Sequence, residues 1–238
     1  MHGANTVLTK VCFLTGLTWW SLDWSRFRPS GNRARSVYPH RVESDQVSVS
    51  ILAGGKSTRM GTDKAFIMLD GHTLLDRALD LARTVTSSVT IVGEAAKYGR
   101  FAPVVEDIFP GCGPLAGIHT ALKFSSKDLN LILAVDLPFV THDLLDYLLN
   151  RAAAFPARLI TTPRTRQGWQ PLCAVYRREF GGFAEEALAK GRYKIDALFE
   201  PARTLVVSEE ELQACGFSSR LFRNLNTPQD LTGALELP

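Results

Sequence analysis

Residues 47–238 predict an α/β domain with a mostly parallel central sheet, and two observations carry that reading. Short β-branched runs alternate with helical patterns along the whole stretch, the order expected when helices cover both faces of a parallel sheet. The run Leu131–Val135 is apolar at every position, as a strand buried on both faces has to be. With no internal repeat and no Pro/Gly-rich linker, these 192 residues read as a single Rossmann-like three-layer domain.

In chain order, Val47–Leu52 is the first strand, closed by the glycines that follow it. A helix is expected from Thr73, whose hydroxyl can cap the first turn while Asp76 takes the reciprocal position of a capping box. Its spacing puts Leu74, Leu75, Ala78, Leu79 and Ala82 on one face. Val89–Val92 and Pro103–Glu106 read as strands, Pro114 can open a helix at its first position, and Leu129–Val135 is the central strand. A second amphipathic helix follows Thr141, with Leu144, Leu145, Leu148 and Leu149 turned inward. Arg158–Thr162 and Leu172–Tyr176 are the last strands. Thr227, Pro228 and Asp230 mark the start of a C-terminal helix.

The chain of 238 residues carries 27 basic and 24 acidic side chains, a formal net charge of +3. Six of those bases and three of the acids lie in residues 1–46, so the rest is neutral, with 21 of each sign. A neutral body lacks the clustered Lys and Arg that nucleic acid requires, and no run approaches the roughly 18 consecutive apolar residues of a membrane span. Neither nucleic acid nor membrane is an expected partner. Cys12, Cys112, Cys173 and Cys215 lie far apart without a Cys-x-x-Cys pair, so no disulfide framework or zinc site is indicated and a cytoplasmic location fits. Residues 1–46 hold three of the four tryptophans and show no sustained period. They are expected to form a disordered extension or to reflect a start codon placed too far upstream; a membrane-surface segment ranks below both.

Three stretches carry chemistry. Ile51–Lys64 follows the first strand with Gly54-Gly55 and the cations Lys56, Arg59 and Lys64, so bare backbone amides and positive charge can converge on an anion. It is not a P-loop, which needs a glycine where Ser50 stands, and it lacks G-x-G-x-x-G. Asp136 ends the apolar run Leu131–Val135, and a carboxylate at the carboxyl end of a parallel strand faces the crevice where such sheets bind ligands. One carboxylate with phosphate oxygens and water suits magnesium. Glu106-Asp107 and the stretch Gly111–Gly117 follow a third strand. The competing readings are an ordinary glycine turn with solvated charges, and an Asp136 that only caps its turn. Three such loops on one sheet edge favour a nucleotide site. The five histidines are scattered, which suits surface or capping positions.

Leu52-Ala53-Gly54-Gly55-x-Ser57-x-Arg59-Met60-Gly61-x-Asp63-Lys64, Glu106-Asp107 with Gly113-Pro114-Leu115-Ala116-Gly117, Asp136-Leu137-Pro138, Gln170-Pro171 and Asn224-Leu225-Asn226-Thr227-Pro228 resemble, in order, the MobA-type molybdenum cofactor guanylyltransferases. The resemblance implies transfer of GMP from GTP to Mo-molybdopterin with release of pyrophosphate, a Mg2+ cofactor, and transient contact with proteins that handle molybdopterin or mature molybdoenzymes. By the family pattern Leu52, Ala53, Gly54 and Gly55 contact the nucleotide, Lys64 its phosphates, Asp107 the nucleoside, and Asp136 both nucleotide and metal. Asn226 is implied to support the metal or its loop. Arg59, Lys64 and Asp136 are the catalytic candidates, because an acceptor phosphate oxygen is already a nucleophile and needs only alignment and charge stabilisation. One departure stands out: the family often has Asn at the end of the second strand, where this chain reads Gly93-Glu94. A cytidylyltransferase on the same acceptor and a non-catalytic nucleotide or cofactor carrier are the alternatives. Arg164, Arg166, Gln167, Gln170, Lys190, Arg192 and Lys194 are candidates for the anionic acceptor, or solvated loop charges.

Overall fold

The computed structural model describes residues 42–54 and 63–225. Gly55, Arg59, Asn226 and the helix expected from Thr227 lie outside the described residues, as do residues 1–41. The sheet runs in the order β10-β7-β9-β6-β1-β4-β5, with the short β8 paired to β7. Its centre is β1 (Val47–Leu52) beside β6 (Leu129–Ala134), each buried at all six positions. β4 (Val89–Val92) and β5 (Val104–Val105) continue it in parallel. A two-residue hairpin, β2 (Met68–Leu69) with β3 (His72–Thr73), stands apart from the main sheet.

The other half is mixed. β7 (Ile160–Thr165) and β10 (Thr204–Ser208) are parallel to each other. β9 (Cys173–Arg177) runs antiparallel to both β7 and β6. Its direction follows from chain length: only the hairpin strand β8 (Gly168–Trp169) and its turns separate β7 from β9, too little for the crossover a parallel neighbour needs.

Two helical layers cover the sheet. α1 (Leu74–Val85) and α4 (His142–Ala154) bury Leu74, Leu79, Leu144 and Leu148 against Val49, Ile51 and Leu131. On the opposite face α3 (Pro114–Phe124) and α5 (Phe180–Ala189) pack Ile118, Leu122, Phe180 and Leu188 on Leu52, Ile132 and Tyr176. α1 starts as expected: the Thr73 hydroxyl accepts from Asp76 N–H at 3.0 Å and the Asp76 carboxylate from Thr73 N–H. Shorter helices, α2 (Ala95–Tyr98) and α6 (Glu209–Ala214), follow β4 and β10. Val42–Gln46, counted on sequence with the extension, pack onto this body, where the Thr86 hydroxyl donates to Ser44 O at 2.7 Å. Among the described residues no helix is long and apolar enough to cross a membrane.

Candidate functional site

Four neighbouring parallel strands, β6-β1-β4-β5, end at one level because Leu52 is in register with both Ala134 and Val92, and Val92 with Val105. The ladder runs one residue further: Ala53 N–H donates to Val92 O, Val135 N–H to Leu52 O and Gly93 N–H to Val105 O, at 3.0–3.2 Å. Ala53-Gly54, Gly93, Asp107 and Asp136 are therefore brought to a common carboxyl edge, where open α/β sheets bind ligands.

Lys64 reaches this edge from a single turn of 3-10 helix, Lys64–Phe66, whose start is capped by Asp63: Oδ1 accepts from Ala65 N–H at 3.1 Å. Its ammonium lies 3.3 Å from Asp136 Oδ2, with both side chains about one-fifth exposed, at 22% and 19%. Leu225 N–H donates to Asp136 O at 3.1 Å, so the chain just before Asn226 buttresses the Asp136 turn. Lys64 and Asp136, 72 residues apart in sequence, are brought together by the fold.

Asp107 occupies the far side of the edge. A Cβ added to Gly54 would lie 3.9 Å from its Oδ2, and one added to Gly117 would lie 3.8 Å from its Oδ1. The carboxylate thus nests between the loop after β1 and the start of α3. Oδ1 is buried with no hydrogen-bond partner among the described residues, and burial lifts the Asp107 pKa above the ordinary carboxylate value. Gly113, at φ 75°, turns the chain into α3 just before Pro114, a backbone conformation that favours glycine.

Just after β4, the glycine at position 93 has a steric explanation. A Cβ on residue 93 would lie 2.8 Å from Cε2 and 2.9 Å from Cδ2 of Tyr98, so the space where a side chain would stand holds the Tyr98 ring. That ring directs its hydroxyl to 2.7 Å from Asp63 Oδ2 and 3.1 Å from Ala53 O. Glu94 is exposed, and its carboxylate is paired with Lys97 at 2.6 Å. Sequence reasoning missed Tyr98, whose partners lie 35 and 45 residues away.

On the mixed half, Leu172 O accepts from Ala134 N–H at 2.8 Å, which puts the Gln170-Pro171 turn beside Asp136. The next strand out, β7, has its carboxyl end on the same edge. There the Arg164 guanidinium lies 4.8 Å from the Trp169 ring centroid, and Phe199 meets that ring edge-on at 5.0 Å. Arg166, Lys190 and Lys194 are paired with Glu209, Glu186 and Asp196 respectively. Cys112, in the loop before α3, raises the Tyr193 pKa, which places the 191–194 segment near that loop. His119 corrects an expectation: it is a core residue of α3, 1% exposed, with Phe109 at 5.2 Å, and not a surface or capping group.

No group of three or more His, Cys, Asp or Glu side chains that could hold a metal ion occurs among the described residues. An ion that keeps most of its water and binds phosphate needs few protein ligands, and Asp136 at this edge can supply one carboxylate to it.

A model of the family described as "MobA-like NTP transferase domain" matches residues 49–225. A molybdenum cofactor guanylyltransferase of Desulfosudis oleivorans is 34% identical over 193 residues, which span 80% of this chain and 95% of that one. Its counterpart in Syntrophotalea carbinolica is 33% identical over 185 residues, covering 77% and 88%. The crystal structure of molybdopterin-guanine dinucleotide biosynthesis protein A from Archaeoglobus fulgidus superposes with a TM-score of 0.68 at 27% identity, covering 79% of this chain and 96% of that one. Edge geometry, matched span and shared fold agree, and the chain belongs to the MobA-like NTP transferases.

Proposed function

We propose that this protein transfers GMP from GTP to Mo-molybdopterin, forming the guanine dinucleotide cofactor and releasing pyrophosphate. The observation that carries the reading is the Lys64–Asp136 pair, 3.3 Å apart at the carboxyl edge beside Gly54. A cation and a carboxylate held together across a crevice are what a triphosphate needs on its two sides.

The chemistry follows from these groups. A phosphate oxygen of the acceptor attacks the α-phosphorus, the α–β phosphoanhydride bond breaks, and the electron pair leaves on pyrophosphate. Lys64 draws the β- and γ-phosphates toward the edge and stabilises the charge developing there. As it does so Asp136 loses its internal partner. Asp136 would then hold a magnesium ion with phosphate oxygens and water, and the bound ion would supply further neutralisation of the leaving group. Leu52, Ala53, Gly54 and Gly55 present backbone to the nucleotide, and Arg59 adds positive charge. The unpaired Asp107 Oδ1 accepts from a nucleoside donor, which satisfies a buried oxygen that otherwise has none. The reading extends to transient contact with proteins that handle molybdopterin, which the resemblance implies.

Pyrophosphate release with isolated molybdopterin and either GTP or CTP tests the reading. Release with GTP supports it; release only with CTP, or none with either, overturns it. Asp136→Ala is expected to stay folded and to lose roughly 10²-fold or more in transfer rate, and near-normal turnover would refute its assigned role.

A further inference from the structure

We propose that Tyr98 is a positioning residue for phosphate capture: through Asp63 it fixes the turn that aims Lys64 at the sheet edge. The inference rests on the function proposed above. Tyr98 is 2% exposed, and its hydroxyl contacts two points that flank residues 54–62 of the chain. One is Asp63 Oδ2 at 2.7 Å, the other Ala53 O at 3.1 Å. A phenol has a single proton, and the shorter contact to the charged acceptor takes most of it.

Asp63 transmits the constraint. Its other oxygen caps the turn Lys64–Phe66 through Ala65 N–H, so rotating the carboxylate loosens the turn that bears Lys64. Lys97 Nζ stands 3.8 Å from Asp63 Oδ2, a weaker and more exposed hold on the same group. The Tyr98 ring lies in the space left by Gly93 and 5.9 Å from the Phe66 ring, so removing the hydroxyl leaves the ring's packing intact. Burial and the Asp63 carboxylate raise the Tyr98 pKa, which keeps the phenol a donor throughout the neutral range. Gly93 is what admits the ring.

The test is a double-mutant cycle of Tyr98→Phe with Lys64→Ala, followed by binding of a fluorescent GTP analogue and by steady-state transfer. Tyr98→Phe alone should retain the thermal midpoint within a few degrees and lose about tenfold in GTP-analogue affinity and in kcat/KM for GTP, with the acceptor KM unchanged. In the Lys64→Ala background it should cost nothing further, because the two residues act as a unit. Multiplicative losses, or a Tyr98→Phe protein that binds the analogue as tightly as wild type, would overturn the proposal. Analogue binding does not depend on the acceptor, so failure of the guanylyl-transfer reading leaves this result interpretable: normal Tyr98-dependent binding without transfer sinks the function and spares the positioning role.

Discussion

Gly93 ties a local steric fact to the site. An added methyl would sit inside van der Waals contact with two ring carbons of Tyr98, and the ring is pinned at its far end by Asp63 and Ala53. Gly93→Ala is therefore expected to cost about 1–3 kcal/mol, the usual range for overpacking, read as a lower urea midpoint with unchanged slope. An unaltered midpoint would mean that the ring swings aside freely. The contrast with Asp136, Asp107 and Lys64 shows what a sequence can and does not display. Asp136 and Asp107 directly follow strands, and Lys64 is twelve residues beyond β1, so finding the strands finds the residues. Tyr98 sits on the four-residue α2 among solvent-facing neighbours, and its importance comes from partners that only the folded sheet brings near. Nothing in residues 94–99 signals it.

Elements were legible where period and cap agreed. α1 has its capping residue, its reciprocal carboxylate and its five apolar positions in the expected places, and all five are buried. α5 was missed because Gly181 and Gly182 sit in its first turn and break the helical signal, although Phe180, Ala184, Ala187 and Leu188 form its buried face. β10 was missed since its connection to β7 spans α5. The α3–α5 layer has a pH dependence of its own. His119 faces Glu185 at 3.8 Å across the two helices, with Lys123 also near that carboxylate. Burial pushes its pKa below the ordinary 6.5, outweighing the opposing pull of Glu185. Below that ordinary value the unfolded chain takes up a proton that the folded chain refuses, so stability falls as pH drops from about 6.5 toward the depressed folded pKa. Urea midpoints at pH 7.5 and 5.5 should show this slope, and His119→Gln should flatten it. An equal slope in the variant would place the acid sensitivity elsewhere.

Across the sheet the two halves differ in direction, and the proposed reaction assigns them different tasks. The purely parallel strands β6-β1-β4-β5 bring Gly54, Asp107 and Asp136 to one edge, the side to which the proposed reaction assigns the donor nucleotide. Beyond β6 the reversed β9 starts from the same edge, just after Gln170-Pro171, and β7 ends at that edge with the Arg164 guanidinium 4.8 Å from the Trp169 ring centroid. An acceptor whose phosphate oxygen must reach the α-phosphorus near Asp136 has this half of the edge to lie on. The Arg164 guanidinium beside Trp169 offers a planar pterin a face to stack on in the proposed reaction. Stacking of a heterocycle is worth ~1–3 kcal/mol, so Arg164→Ala and Trp169→Ala should each raise the acceptor KM about tenfold. The KM for GTP and the thermal midpoint should stay near wild type, because neither residue touches the parallel half. Arg164→Lys separates charge from planarity: it keeps the positive charge and loses the flat guanidinium face, and should resemble Arg164→Ala if stacking governs acceptor binding. A variant set in which GTP and acceptor KM values rise together would show that the two halves do not divide the substrates.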